Sequence, residues 1–133
     1  QAKKNEDSQV IVWGSGKPKR EFLHVDDLAS ASLHILNIPF NEYINYISPM
    51  QSHINVGSGQ DISISELAEA IMNVVGFEGQ IIFDTSKPDG VPQKLMNIDL
   101  LNRLGWNQKI SLKKGLDSTY QWFLQNQNNL RVA

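Results

Sequence analysis

Hydrophobic positions along the chain follow two spacings, and together they predict a mixed α/β fold. Short runs of β-branched and other apolar residues predict four strands, at 9–13, 21–25, 53–56 and 80–83. Apolar residues three and four positions apart predict four helices, at 26–38, 63–75, 98–104 and 111–126. We expect the first two strands to pair as antiparallel neighbours, whereas the strand–helix–strand order of 53–84 allows a parallel unit.

The ends of two predicted helices carry capping residues. Ser63 and Glu66 have the spacing of a capping box, in which each side chain accepts a hydrogen bond from the backbone of the other residue. Gly76 is placed to end that helix, because glycine adopts the left-handed conformation of a helix C-terminus. Asp26 or Asp27 is predicted to cap the first helix, where a negative charge also suits the helix dipole.

The predicted elements divide the chain into a folded body and two tails. Residues 9–126 form the body, between a flexible lead at 1–8 and a frayed tail at 127–133. Within the body, residues 37–52 are a long predicted loop that carries several aromatic and aliphatic side chains. A loop of that length in a small domain is usually functional or packed against another surface.

Composition excludes several classes of protein. The 133 residues include no cysteine, which excludes a disulfide scaffold, a thiolate metal site and a cysteine nucleophile. The net charge of −2 offers no general surface for nucleic acid. No apolar run approaches the ~20 residues of a membrane span, and the polar N-terminus does not resemble a signal peptide. The chain begins with Gln rather than Met, so we expect a trimmed protein or a portion of a longer one.

Familiar catalytic patterns are incomplete in this chain. Gly57 and Gly59 lie between a predicted strand and a predicted helix, as in a dinucleotide-binding turn, but Ile62 occupies the position of the third glycine. We therefore interpret them as a tight structural turn. No tyrosine is followed four positions later by lysine, no P-loop is present, and the three histidines lack the spacing of metal ligands. The sequence predicts no catalytic, coenzyme-binding or metal-binding residue.

The most informative stretch is a basic glycine turn. Lys17, Lys19 and Arg20 accompany the glycines of residues 14–16. The backbone N–H groups of such a turn and the fork of an arginine both suit phosphate oxygens. Trp13, just before the turn, offers a flat surface for a base or a sugar. The alternative is a solvated basic hairpin tip with no ligand.

A second basic loop extends from Lys87 to Lys94 and contains Asp89. Pro88 and Pro92 restrict its backbone, so a ligand would order it at a smaller entropic cost. The alternative is an ordinary surface loop. Two rigid basic loops in one domain together favour an anion-binding site.

These loops also carry a resemblance to a known family. The run WGSGKPKREFLHVDD at 13–27 is similar to the C-terminal half of extended short-chain dehydrogenases that act on nucleotide sugars. The run SKPDGVPQK at 86–94 is more specific and resembles the members that epimerise and reduce GDP-sugars. Other runs extend the resemblance over about residues 9–126: HINVGSG at 53–59, LGW at 104–106 and STYQWFL at 118–124.

The resemblance implies a fold and a substrate. The chain would be the α/β, C-terminal substrate-binding portion of an extended short-chain dehydrogenase, with the Rossmann-type coenzyme domain absent from this chain. Arg20 would bind the diphosphate of a GDP-sugar, and Trp13 would line the sugar or nucleotide pocket. Asp89 and Lys94 would contact the nucleotide. Gln93 departs from the basic residue expected beside them, so no charge contact is expected there.

The resemblance also implies what lies outside the chain. NADP and the catalytic residues would belong to an N-terminal coenzyme domain, in agreement with the missing tyrosine–lysine pair and the absence of cysteine. The implied partners are that domain, a GDP-sugar and a second copy in a cytoplasmic homodimer. Alone, the chain would be inactive. It would expose an apolar face that includes parts of 37–52, and would form dimers or aggregates.

Two other interpretations remain open. A stand-alone, non-catalytic nucleotide-binding module would use the same basic loops, although the N-terminal Gln disfavours it. The chain could also correspond to part of an epimerase or dehydratase for dTDP- or UDP-sugars, although the run at 86–94 disfavours this.

Overall fold

The computed structural model describes residues 1–51 and 53–127 and confirms the mixed α/β class. The helices are α1 Ala2–Asn5, α2 Val25–Leu36, α3 Phe40–Tyr43, α4 Ile64–Val75, α5 Asp99–Arg103 and α6 Leu112–Asn126. The strands are β1 Gln9–Trp13, β2 Lys19–Glu21, β3 Asp61–Ser63, β4 Gln80–Asp84 and β5 Gln93–Lys94.

The chain forms two compact units. The sheet unit comprises Gln1–Arg20, Ile62–Gln93 and the residues from Ser111 onward, and the helix unit comprises Glu21–Asp61 and Lys94–Ile110. Residues 9–126, predicted as one body, thus contribute to both units. Residues 2–5 of the predicted flexible lead form α1, and the predicted loop at 37–52 contains α3. The predicted tail lies mostly outside the described residues.

The sheet unit is built on a parallel pair of strands. β1 and β4 pair in register from Gln9 with Gln80 to Trp13 with Asp84, and α4, which leads into β4, packs against α6. The predicted antiparallel pairing of the first two strands is wrong. β2 belongs instead to a sheet of order β3-β2-β5, and it ends at Glu21 because the following residues enter α2.

Helix ends agree with the sequence in α4 and differ from it in α2. Ser63 and Glu66 form the predicted capping box, and Gly76 ends α4 with a φ of 66°. The predicted caps of α2 are wrong: its N-cap is His24, whose Nδ1 accepts the backbone N–H of Asp26 at 3.2 Å. Asp26 and Asp27 lie in the first turn, where their charge still favours the helix dipole.

The core of the helix unit packs around the fully buried Ala31 and Leu101, with Trp106 beside them. Asp27 is only 2% exposed, and its carboxylate accepts the backbone N–H groups of Lys109 and Ile110. A polar group can be buried without great cost when it is hydrogen-bonded in this way. The buried aspartate therefore has a structural role.

Residues 53–56 are not a strand, which corrects the prediction. Ile54 and Val56 pack against the Ala31–Leu101–Trp106 cluster. Their apolar character therefore reflects burial in a core, which a short apolar run cannot distinguish from a strand.

Candidate functional site

The glycine turn after β1 is held against its own unit by backbone hydrogen bonds. Gly14 N–H donates to Asp84 O at 3.0 Å, and Gly16 O accepts the N–H of Ser65 at 2.9 Å. Gly14 and Gly16 have φ values of 89° and 75°, in the left-handed region that favours glycine. A Cβ on Gly16 would lie 2.5 Å from the ring of Phe83. Both glycines are therefore needed for a turn this tight.

Ser15 joins this turn to the second basic loop. Its N–H donates to Asp89 Oδ1 at 2.7 Å, and its hydroxyl donates to Asp89 Oδ2 at 2.6 Å. The same hydroxyl oxygen accepts the N–H of Lys17 at 3.2 Å. A Cβ on Gly14 would approach Asp89 Oδ1 to 2.5 Å, so glycine permits the contact. The two predicted loops thus meet through one serine and one carboxylate.

Hydrogen bonds from Ser15 hold the pKa of Asp89 below its ordinary value. The hydroxyl of Ser15 is the largest cause and its backbone N–H the second, while the charge of Lys17 adds to them and partial desolvation opposes them. The lowered pKa keeps Asp89 ionised, and thus purely an acceptor of hydrogen bonds, into more acidic solution than an ordinary aspartate.

Arg20 ties the same two loops at a second point. Its Nη1 donates to Val91 O at 2.8 Å and to Lys19 O at 2.6 Å. A Cβ on Gly90 would lie 3.3 Å from Nη2, so the small residue leaves room for the guanidinium. Nε and Nη2 donate to no acceptor in the described part of the chain. One side of the guanidinium holds the loop, and the other remains available to an anion.

Trp13 ends β1 opposite Asp84 and is 74% exposed. Lys87 Nζ lies 5.6 Å from the centroid of its ring, a cation–π contact. At an exposed site such a contact contributes roughly 0.5–1 kcal/mol. Trp13 therefore offers an aromatic surface with a positive charge beside it. The sequence had placed Lys87 in the second basic loop but had not predicted its contact with Trp13.

Lys94 is the last residue of β5 and is exposed. It belongs to the helix unit, whereas Trp13, Arg20 and Asp89 belong to the sheet unit. The structure thus brings three of the four predicted site residues onto two joined loops of one unit.

The cations of the two loops form no close ion pair with a described residue, although the charge of Lys17 acts on Asp89 at longer range. Lys17, Lys19, Arg20 and Lys87 form no ion pair with any residue in 1–51 or 53–127. Asp84, the other acid at these loops, accepts the N–H and hydroxyl of Ser86 at 3.0 and 2.6 Å. The arrangement suits an anion with several oxygens, such as a diphosphate.

The turn at 57–59 does not fit a coenzyme phosphate. Glu21 fills it: Oε1 accepts the N–H of Gly59 at 2.6 Å and the hydroxyl of Ser58 at 3.3 Å. A Cβ on Gly57 would collide with Glu21 Oε1. A phosphate placed there would meet this carboxylate, so no coenzyme chemistry is assigned to the turn. Its interpretation as a structural turn agrees with these contacts, although the preceding residues are not a strand.

Within the described residues no group of three or more His, Asp or Glu side chains could hold a metal ion. None of the helices there combines the length and hydrophobicity that a membrane span requires.

A cavity of about 340 Å³ lies in the sheet unit and is lined mainly by β1, α4 and β4, but no predicted site residue reaches it.

Comparison with known proteins reveals the relatives of this chain. The NAD dependent epimerase/dehydratase family model matches residues 1–57. GDP-L-fucose synthase of Escherichia coli K12 is 55% identical over 122 residues, which are 92% of this chain and 38% of that enzyme. The chain is a homologue of GDP-L-fucose synthases. It spans little more than a third of their length.

Solved structures show the same fold. A GDP-L-fucose synthetase from Naegleria fowleri bound to NADP is 29% identical with a TM-score of 0.82, over 98% of this chain and 39% of that one. A GDP-mannoheptose C4 reductase from Campylobacter jejuni with NADP bound is 42% identical with a TM-score of 0.75, over 88% of this chain and 35% of that one. The fold is that of a part of the extended short-chain dehydrogenases, as predicted.

Proposed function

We propose that this chain is the C-terminal, substrate-binding portion of a GDP-L-fucose synthase. Such an enzyme converts GDP-4-keto-6-deoxymannose to GDP-L-fucose by epimerisation and NADP-dependent reduction. Similarity to GDP-L-fucose synthases over 92% of the chain supports the enzyme class. The observation that carries the binding role is the pair of joined basic loops, whose cations form no ion pair with a described residue.

We propose a role for each candidate residue. Arg20 binds the diphosphate through Nε and Nη2, while its Nη1 keeps the loop in place. Trp13 presents its exposed ring to the base or the sugar. Asp89, oriented by Ser15, accepts hydrogen bonds from the nucleotide. Lys94 remains a prediction from the sequence, because it belongs to the helix unit.

Coenzyme binding and catalysis belong to a region outside this chain. The turn at 57–59 does not fit a coenzyme phosphate, because Glu21 occupies it. We therefore place NADP and the catalytic residues in an N-terminal coenzyme domain. The complete enzyme would be a cytoplasmic homodimer, and this chain alone would bind substrate without converting it.

A second substrate is favoured by one observation. The 42% identity to a GDP-mannoheptose C4 reductase suggests a GDP-heptose as an alternative to the deoxymannose substrate. Both proposals share the GDP moiety, so the nucleotide is tested first.

The proposal is tested by calorimetric titration of the chain with GDP, UDP, dTDP and NADPH. We expect binding of GDP, weaker binding of UDP and dTDP, and none of NADPH. The titration with GDP is repeated on Arg20→Ala, which should bind more weakly, and on Arg103→Ala as a matched control. Arg103 lies in α5 of the helix unit. Equal affinity for all three diphosphates would overturn the assignment of GDP.

Activity is then measured in the full-length gene product that contains this chain. We expect that product to oxidise NADPH in the presence of GDP-4-keto-6-deoxymannose, and the 133-residue chain not to do so. Turnover by the 133-residue chain would contradict our placement of the catalytic residues.

A further inference from the structure

Ser15 lies at the contact between the two loops. Its neighbours in the sequence give no sign of this position. It makes three hydrogen bonds within the site, two to Asp89 and one from the N–H of Lys17. The backbone N–H bond would survive substitution of the side chain, whereas both hydroxyl bonds would be lost. The hydroxyl is therefore the part of Ser15 that a mutation can test.

We propose that Ser15 is a positioning residue of the nucleotide site, whose hydroxyl orients the carboxylate of Asp89. This inference rests on the proposed function, because it assumes that Asp89 faces the nucleotide. Ser15 itself need not touch the ligand.

Geometry limits how Asp89 can be used. Each carboxylate oxygen accepts one hydrogen bond from Ser15, and a carboxylate has about four acceptor sites in all. One side of the group is thereby fixed toward the turn, and the exposed side keeps acceptor capacity. Without the hydroxyl, the side chain could rotate about its remaining bond to the backbone N–H of Ser15.

The charge of the Asp89 carboxylate also affects nucleotide binding. An ionised carboxylate accepts hydrogen bonds only, whereas a protonated one also donates. Nucleotide affinity that depends on an ionised Asp89 falls as the pH falls through its pKa. The Ser15 hydroxyl is the largest cause of the lowered pKa, so its removal raises the pKa and moves the loss of affinity to a higher pH.

The experiment compares Ser15→Ala and Ser15→Thr with the unchanged protein, in the full-length gene product. The pKa of Asp89 is read from its carboxyl ¹³C shift without ligand, and GDP affinity is measured across the acid range. We expect Ser15→Ala to raise that pKa and to weaken GDP binding by about threefold to tenfold, the size expected for one lost hydrogen bond. The acid limb, which is the fall of GDP affinity at low pH, should move to a higher pH. Ser15→Thr, which keeps a hydroxyl, should restore all three.

Ser86→Ala is a matched control. It removes another serine hydroxyl that donates to an aspartate at 2.6 Å, but that aspartate is Asp84. The pKa of Asp89 should not change in this variant. The phosphates of GDP titrate identically in every sample, so differences between variants report the protein.

The outcomes are distinct. If Ser15→Ala weakens binding at every pH without moving the acid limb, Ser15 is merely structural and the inference is wrong. If it leaves the Asp89 pKa unchanged, the inference is also wrong. If the unchanged protein binds no GDP, the proposed function fails first and the inference falls with it, whatever the carboxyl titration shows.

Discussion

Arg20 illustrates how one side chain can serve both the fold and a ligand. Its guanidinium has five donors in a rigid fork, and Nη1 is committed to Val91 O and Lys19 O. A lysine in its place would supply charge but not the planar fork that can hold the loop on one side and an anion on the other.

Replacement of Arg20 by alanine should weaken GDP binding by about tenfold or more, the range expected for charge-assisted hydrogen bonds. Arg20→Lys should recover part of the loss. Calorimetry measures both, with Arg103→Ala as the control. An Arg20→Ala variant that binds GDP normally would remove this residue from the site.

The lowered pKa of Asp89 predicts a pH-dependent contribution to stability. Because the folded pKa lies below the unfolded one, the contribution is present above the unfolded pKa and disappears as the pH falls through the folded pKa. Urea unfolding of the unchanged protein and of Asp89→Asn should therefore differ most near neutral pH. The difference should shrink in acid, and a constant difference would contradict the prediction.

Short-range capping determines where α4 begins. Ser63 Oγ accepts the N–H of Glu66 at 3.2 Å, and Glu66 Oε2 accepts the N–H of Ser63 at 3.0 Å. Hydrogen bonds from the hydroxyl and then the backbone of Ser63 lower the pKa of Glu66. Ionised Glu66 therefore strengthens the capping box, and this added stability disappears as the pH falls through the folded pKa.

Ser63→Ala should reduce the free energy of unfolding by about 1 kcal/mol, the usual cost of a lost N-cap. Ser32→Ala in α2 is the control. The hydroxyl of Ser32 donates a hydrogen bond to Leu28 O four residues earlier and does not cap the helix. Because alanine favours a helix interior, that control should be neutral or slightly stabilising. Equal losses in both variants would argue against the cap.

Asp27 joins α2 to the segment that follows α5. Asp27→Ala removes a buried carboxylate and leaves the N–H groups of Lys109 and Ile110 without their acceptor, and should cost roughly 1–3 kcal/mol. The neighbouring Asp26, whose side chain is 77% exposed, provides the comparison in Asp26→Ala. Chemical denaturation that finds the two variants equally stable would refute a structural role for Asp27.

At the scale of the whole molecule, the helix unit exposes large apolar side chains. Leu36, Phe40 and Met50 are 79%, 76% and 95% exposed, and α2 adds Leu28 and Leu33. Exposed apolar patches of this kind mark interaction surfaces or lead to aggregation. The sequence had predicted such a face, partly within 37–52.

We therefore expect the 133-residue chain to bind a hydrophobic dye and to associate as its concentration rises. Leu36→Gln should reduce dye binding without loss of stability. Leu101→Ala, in the core, should instead cost about 2–5 kcal/mol. Sedimentation and dye fluorescence provide the measurements, and a monomer that binds no dye would disprove the expectation.

The sequence by itself determined the α/β class, the limits of α4 and the two basic loops. These features depend on interactions within a few residues, such as capping between Ser63 and Glu66 or the conformation of Gly76, and local patterns encode them directly. The motif of the second loop also indicated the family that the comparisons support.

Only the tertiary structure decided how distant residues meet. The pairing of β1 with β4, the burial of residues 53–56 and the contact between Ser15 and Asp89, 74 positions apart, follow from the assembly of helices and strands. A short apolar run fits a strand or a core segment equally well, and no local pattern pairs a serine with one particular carboxylate. Packing of the complete chain selects among these alternatives, because each contact becomes possible only once the others are in place.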